Sequence, residues 1–211
     1  MTQTTLQRIF GAVLALAGLL IGVFWITHPQ TLNDPDGYQR QHLLGLIGVL
    51  LLPLELMGIG MRLLASGAGW LGFVGFLLAF LTSLLAIGIS TADAFIWPAI
   101  ARAQPGLILG TDGAFNESSA VFTSNFALIR TALPLVVIGY ALLAVAAWQT
   151  RAFSRAATLL LVYAAWATAI GPSFVPHNAL AFKILIYTPV AIGLVWVGIE
   201  LWQVDSLSER N

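Results

Sequence analysis

An arginine lies inside an apolar stretch of the chain, in the sequence VFTSNFALIRTALPLV at residues 121–136. The guanidinium of Arg130 stays charged at any biological pH, and an unpaired charge in hydrocarbon is costly. Glu55 is the acid that lies deepest within another apolar stretch. We therefore predict an ion pair between Arg130 and Glu55, which either fastens two helices or forms a site for an anion or a proton.

Further polar side chains fall near the ends of the apolar stretches. Lys183 lies at the start of the last stretch and Asp93 at the end of the third, so the two are natural partners. The lysine can equally extend along its apolar stem to the membrane interface. We predict that these two residues form the rim of a polar vestibule that faces outward. The vestibule would be completed by His42, His177, Asn178 and Asn125.

The histidines raise the question of a metal or a haem. His42 and His177 each precede an apolar stretch on the same side, and such a pair at matching depth is what a bis-histidine haem requires. Three histidines together with Asp93 would suit zinc. Histidines at the membrane interface without any ligand are the alternative.

Composition sets the class of protein that contains these residues. Of 211 residues, 59% are hydrophobic and 9% charged, and the mean hydropathy is +0.91. Soluble domains carry about 25% charged residues, so the chain is predicted to be an all-α, polytopic membrane protein. The net charge is zero, which argues against nucleic acid as a partner. The absence of cysteine excludes disulfides and thiolate chemistry.

A helix that spans a membrane needs about 20 mostly apolar residues. Six spans are predicted within a single transmembrane domain of residues 1–211, at about 9–27, 42–65, 70–90, 121–149, 157–171 and 178–203. The segment 90–105, STADAFIWPAIARAQP, is amphipathic. It is predicted to be either an outer interfacial helix or the last turns of a long third span.

Charge and proline positions indicate how the spans are arranged. Arginines are more frequent in the loops on the N-terminal side, which favours a multi-pass protein of the cell membrane with both termini in the cytoplasm. Pro53, Pro134 and Pro189 lie near the middle of the second, fourth and sixth spans, which suggests three helical hairpins of similar design. Each proline frees a carbonyl that either accompanies a bend or lines a polar cavity.

The stretch IGYALLAVAAWQTRAFSRAATLLLVYAAWATAIGPSF resembles uncharacterised multi-pass prokaryotic membrane proteins that are classed as domains of unknown function. The resemblance implies a membrane-embedded helical hairpin, and it supplies no activity and no site residue.

The favoured function is to bind or translocate a small solute, preferably an anion, through an outward-facing polar cavity. Arg130, Glu55, Lys183, Asp93 and Asn125 would bind the solute. The second hypothesis is a non-catalytic subunit that associates with other membrane proteins or with copies of itself. The third is a protein that binds haem or zinc through His42 and His177. The chain has no specific catalytic motif, and we do not predict an enzyme.

Overall fold

The computed structural model describes residues 2–28, 32–110, 115–116, 118–174 and 180–203, and these residues form helices joined by short connections. These residues contain no β-strand, and their only β-type pairing is one isolated bridge between Leu109 and Phe115. The helices are α1 (Gln3–Thr27), α2 (Pro35–Ala65), α3 (Gly69–Thr91), α4 (Trp97–Ala103), α5 (Ala120–Thr150), α6 (Arg155–Phe174) and α7 (Leu180–Trp202).

Within this described part, five helices are long and apolar enough to cross a membrane. They are α1, α2, the continuous helix from α3 through α4 (Gly69–Ala103), the part of α5 at Ala132–Thr150, and α7. In α6, a shorter apolar stretch covers Arg155–Ala167. The predicted all-helical fold is therefore confirmed, with helices suited to a membrane, whereas the six spans and the three hairpins stay predictions.

Helix α2 begins earlier than the sequence predicts, at Pro35 instead of residue 42. The side chain of Asp34 accepts a hydrogen bond of 2.9 Å from the backbone N–H of Gly37 and so caps the helix. Proline is favoured at the first helical position, since its missing N–H would have no partner there. The apolar pattern does not reveal these polar first turns, which lengthen the helix by about 10 Å.

The amphipathic segment after α3 continues the same helix and does not lie apart from it. A π-helical turn at Ala92–Ile96 leads directly into α4. The backbone N–H of Trp97 bonds the carbonyl of Ala92, five residues back, just before Pro98, which has no N–H to donate. The wider turn absorbs the proline without breaking the helix. Of the two predictions for this segment, the structure has the long third helix.

Consecutive long helices pack against each other: α1 on α2, α2 on α3, α3 on α5, α5 on α6 and α6 on α7. Helix α1 also packs along α7, which closes the arrangement. Glycines permit that last approach: a Cβ on Gly11 would lie only 2.5 Å from the carbonyl oxygen of Gly198. Small residues at such contacts let membrane helices pack backbone to backbone.

Candidate functional site

Glu55 is a carboxylic acid enclosed in the apolar core. Its side chain is 0% exposed on α2. Neither carboxyl oxygen has a hydrogen-bond partner among the residues that the structure describes. Tyr140 on α5 is close enough to interact with it electrostatically. Because an isolated ionised carboxylate is very costly to bury, this group must carry a proton or bind a cation.

The predicted pairing of Glu55 with Arg130 is not formed. Arg130 is exposed on α5, and neither carboxyl oxygen of Glu55 accepts a hydrogen bond from it. Tyr140, which α5 places beside Glu55, lies ten residues further along the helix, about 15 Å from Arg130. The prediction failed because it took α2 to begin at residue 42. With the true start at Pro35, Glu55 lies about 30 Å along α2 while Arg130 lies about 15 Å along α5.

Two histidines meet at the end of the molecule where α1 ends and α2 begins. His28 follows α1, and His42 is buried on α2 with 2% of its side chain exposed. Their Nε2 atoms are 3.2 Å apart. The Nδ1 of His42 lies 2.9 Å from the carbonyl oxygen of Tyr38, one turn earlier on the same helix. This carbonyl can only accept, so the Nδ1 of His42 carries a hydrogen and donates it.

Aromatic rings surround this histidine pair. The Tyr38 ring stacks on His42 with the ring centroids 3.8 Å apart. Trp25 stacks on His28 at 5.4 Å, and Phe24 contacts both imidazoles edge-on. We call these five residues the histidine cluster. The sequence predicts His42 at this end with His177 as its first partner, and His28 beside it only in the three-histidine alternative; the structure brings His28 and His42 into contact.

Lys183 and Asp93 each interact with a residue of the histidine cluster, and the predicted contact between the two is not formed. The buried Lys183 ammonium donates a hydrogen bond of 2.7 Å to the backbone carbonyl of His28. Asp93, in the π-helical turn, lies near the side chain of Trp97 and interacts electrostatically with Tyr38. The two residues therefore belong to one polar region while each has its own partner.

Three predicted residues cannot be assigned to this region. His177 and Asn178 lie outside the described residues, and so does the side chain of Asn125, whose backbone belongs to α5. Within the described ranges, no group of three histidine, aspartate or glutamate residues is placed to hold a metal ion. His28 and Asp93 therefore do not complete a three-ligand zinc site with His42. The predicted haem site with His177 stays a prediction.

The opposite end of the molecule contains a charged cluster that sequence reasoning missed. The guanidinium of Arg62 donates through Nε to the carbonyl of Ala152 at 2.6 Å and through Nη1 to the carbonyl of Glu200. The Glu200 carboxylate accepts from the N–H of Ser154 at 2.9 Å, from its hydroxyl at 2.5 Å and from the Trp196 indole at 2.9 Å. We call Arg62, Ala152, Ser154, Trp196 and Glu200 the arginine cluster.

The arginine cluster ties α2 and α7 to the connection between α5 and α6. The Arg62 guanidinium lies over the ring of Phe153, 4.8 Å from the ring centroid. A signal was available in the spacing of Trp196 and Glu200, which places both on one face of α7. The described charged groups of the arginine cluster are bonded to other groups of the protein, so we interpret the cluster as a structural lock.

The chain was compared with known proteins at the level of families, single proteins and folds. No family model, no curated protein and no solved structure matches it.

Proposed function

We propose that this membrane protein binds a small solute among its helices, with Glu55 as the group that contacts it. The carrying observation is the fully buried carboxyl whose two oxygens have no hydrogen-bond partner in the described chain. Ionisable residues inside a membrane are costly and are functional candidates by default. A carboxyl in this position suits a cation, an amine or a proton.

The charge of the solute follows from where the two central residues lie. An anion was favoured as long as Arg130 was expected to face the interior beside Glu55. Arg130 is instead exposed on α5, and Tyr140 is the α5 residue that interacts with Glu55. A phenol hydroxyl donates and accepts hydrogen bonds. Together the carboxyl and the phenol favour a positively charged or proton-donating solute over an anion.

Other buried or partly buried charged groups form hydrogen bonds within the protein, and this contrast supports Glu55 as the group that contacts the solute. Arg62 donates to two backbone carbonyls, and Lys183 donates to the His28 carbonyl. Buried polar groups in proteins are almost always satisfied, and an exception calls for an ion, a water or a functional role. In the described part of the chain, the buried side-chain atoms without a partner are both carboxyl oxygens of Glu55 and the amide oxygen of Gln41, and of these two residues only Glu55 can carry a charge.

Binding is tested with purified protein in mild detergent. Candidate solutes are alkali cations, small primary amines and small carboxylic acids, each added at several pH values while the melting temperature is measured. A solute that binds the native state raises the melting temperature with its concentration. We expect cations or amines to do so for the wild type and not for Glu55→Gln, which preserves the shape and removes the charge.

The control is Asp36→Asn, which removes a carboxylate from an exposed position. If the solute effect is the same in Glu55→Gln as in the wild type, or if only anions stabilise the protein, the proposal is wrong. Translocation is measured separately, as uptake of the same solute into vesicles that contain the protein. Co-purification of another membrane protein in stoichiometric amount would instead support the hypothesis of a complex subunit.

We also propose the finer topology: six spans in three hairpins, with both termini in the cytoplasm. Helix α6 has 20 residues, about 30 Å, and packs between α5 and α7. The chain contains no cysteine, so single cysteines can report sidedness without background. A membrane-impermeant thiol reagent on intact cells should label Gln104→Cys and spare Ser66→Cys. The reverse pattern would invert the topology.

A further inference from the structure

The contact between the Nε2 atoms of His28 and His42 requires a proton or a cation between them. His42 uses Nδ1–H to donate to the Tyr38 carbonyl, so in the neutral ring its Nε2 carries a lone pair. That lone pair lies 3.2 Å from the Nε2 of His28. Two lone pairs at this distance repel each other. Either a proton on His28 or a cation shared by both rings must therefore occupy the gap.

The distance itself matches two ligands of one metal ion. Imidazole nitrogens bind zinc at about 2.0–2.1 Å, so two of them on a tetrahedral ion stand about 3.3–3.4 Å apart. The 3.2 Å between the Nε2 atoms of His28 and His42 is close to this value. Two axial ligands on opposite sides of a haem iron would be about 4 Å apart, so this pair does not suit haem.

The surroundings of the pair are those of a prepared site. A histidine that binds a metal usually donates its other ring N–H to a carbonyl or a carboxylate, which fixes the tautomer and the ring. His42 does this with Tyr38, and Lys183 holds the backbone carbonyl of His28. The rings of Phe24, Trp25 and Tyr38 pack around the two imidazoles. Both ligands are thus oriented before any ion arrives.

We propose that His28 and His42 bind one divalent transition-metal ion of the class that imidazole suits, Zn²⁺ or Cu²⁺. The described residues supply two ligands, and water would complete the coordination. The Lys183 ammonium close to His28 opposes a dication, and Asp93, which interacts electrostatically with Tyr38, favours it. This site is separate from Glu55 and does not depend on the proposed solute.

The proposal is tested on the full chain, purified without a polyhistidine tag and stripped with a chelator. Zn²⁺ or Cu²⁺ is titrated in a calorimeter against the wild type, His28→Gln, His42→Gln and His177→Gln. We expect one ion per chain in the wild type and in His177→Gln. Loss of either ligand should weaken binding by about 100-fold or more, at or beyond the upper end of what loss of a second-shell partner costs.

A measurement on the wild type keeps the test independent of how the variants fold. Electron paramagnetic resonance of the Cu²⁺ complex should show splitting from two imidazole nitrogens. Bound Zn²⁺ should protect the half-buried His28 from acylation by diethylpyrocarbonate, read by mass spectrometry. If the wild type binds no ion at one to one, the contact is a hydrogen bond and the proposal is wrong. Binding that survives both His28→Gln and His42→Gln would equally overturn it.

Discussion

The two ends of this protein both contain polar side chains that join several helices, yet they are built differently. In the arginine cluster, each charged side chain has protein donors or acceptors around it: Arg62 uses two carbonyls and Glu200 accepts three hydrogen bonds. In the histidine cluster, two ring nitrogens face each other. The first arrangement is complete within the protein, whereas the second leaves a position for a proton or an ion.

Glu55 lies on the same helix as Arg62, seven residues away, and extends this comparison. Both residues are ionisable; Glu55 is fully buried and Arg62 is half-buried. Arg62 is satisfied and Glu55 is not. A satisfied buried charge stabilises the fold only while its partners remain, and an unsatisfied one weakens the fold unless something binds. Substitution at the two positions should therefore change stability in opposite directions.

The largest loss of stability is expected for Arg62→Met. The substitution keeps the apolar stem and removes both charge-assisted hydrogen bonds, so the Glu200 carboxylate loses its neighbouring cation. We expect the free energy of unfolding to fall by about 3–5 kcal/mol. The measurement is unfolding in detergent followed by circular dichroism. The matched control is Arg155→Met, since Arg155 lies over the exposed ring of Trp148 at 5.1 Å, an interaction worth about 0.5–1 kcal/mol.

The next effect has the opposite sign. Replacing Glu55 by methionine fills the same space with an apolar side chain and removes the unsatisfied carboxyl. We expect the free energy of unfolding, measured without added solute, to rise by about 1–3 kcal/mol, the cost of a buried polar group that lacks a partner. A loss of stability of similar size would show that Glu55 has a structural partner, and the contrast with Arg62 would then fail.

The contrast could be anticipated from the sequence only in part. The apolar runs predicted the membrane class and the approximate centres of the helices. They gave no signal for the polar first turns of α2, where Asp34 and Pro35 start the helix early. That difference displaced Glu55 relative to α5 and produced the wrong pairing with Arg130. Contacts such as the one between His28 and His42 depend on how two helices pack, which one chain's periodicity does not specify.

A smaller effect tests the electrostatics of the histidine cluster. Lys183→Gln retains a donor for the His28 carbonyl and removes the positive charge beside the proposed ion. We expect Zn²⁺ to bind about fivefold more tightly to this variant, by about 1 kcal/mol of relieved repulsion. Calorimetric titration beside the wild type measures this. Weaker binding in a variant that unfolds normally would mean that Lys183 supports the site through its charge.

The smallest change in stability is expected at the exposed ion pair beside the histidine cluster. Comparing this pair with Arg62 separates the effect of burial from the effect of the number of hydrogen bonds. Arg102 bonds Asp36 through Nε and Nη2, the closer contact being 2.5 Å, and also bonds Gln39 at 2.7 Å. It thus makes three hydrogen bonds to side chains, where Arg62 makes two to carbonyls. The side chains of Arg102 and Asp36 are 41% and 71% exposed.

Water and salt screen an exposed pair, so Arg102→Met should lower the free energy of unfolding by about 1 kcal/mol or less, and less still in high salt. The same substitution at Arg62 should cost several times more and depend little on salt. If the two variants lose equal stability, the loss is determined by the hydrogen bonds and not by the burial of the arginine. The arginine cluster would then differ from this surface contact only in position, and its role as the lock of the fold would lose its physical basis.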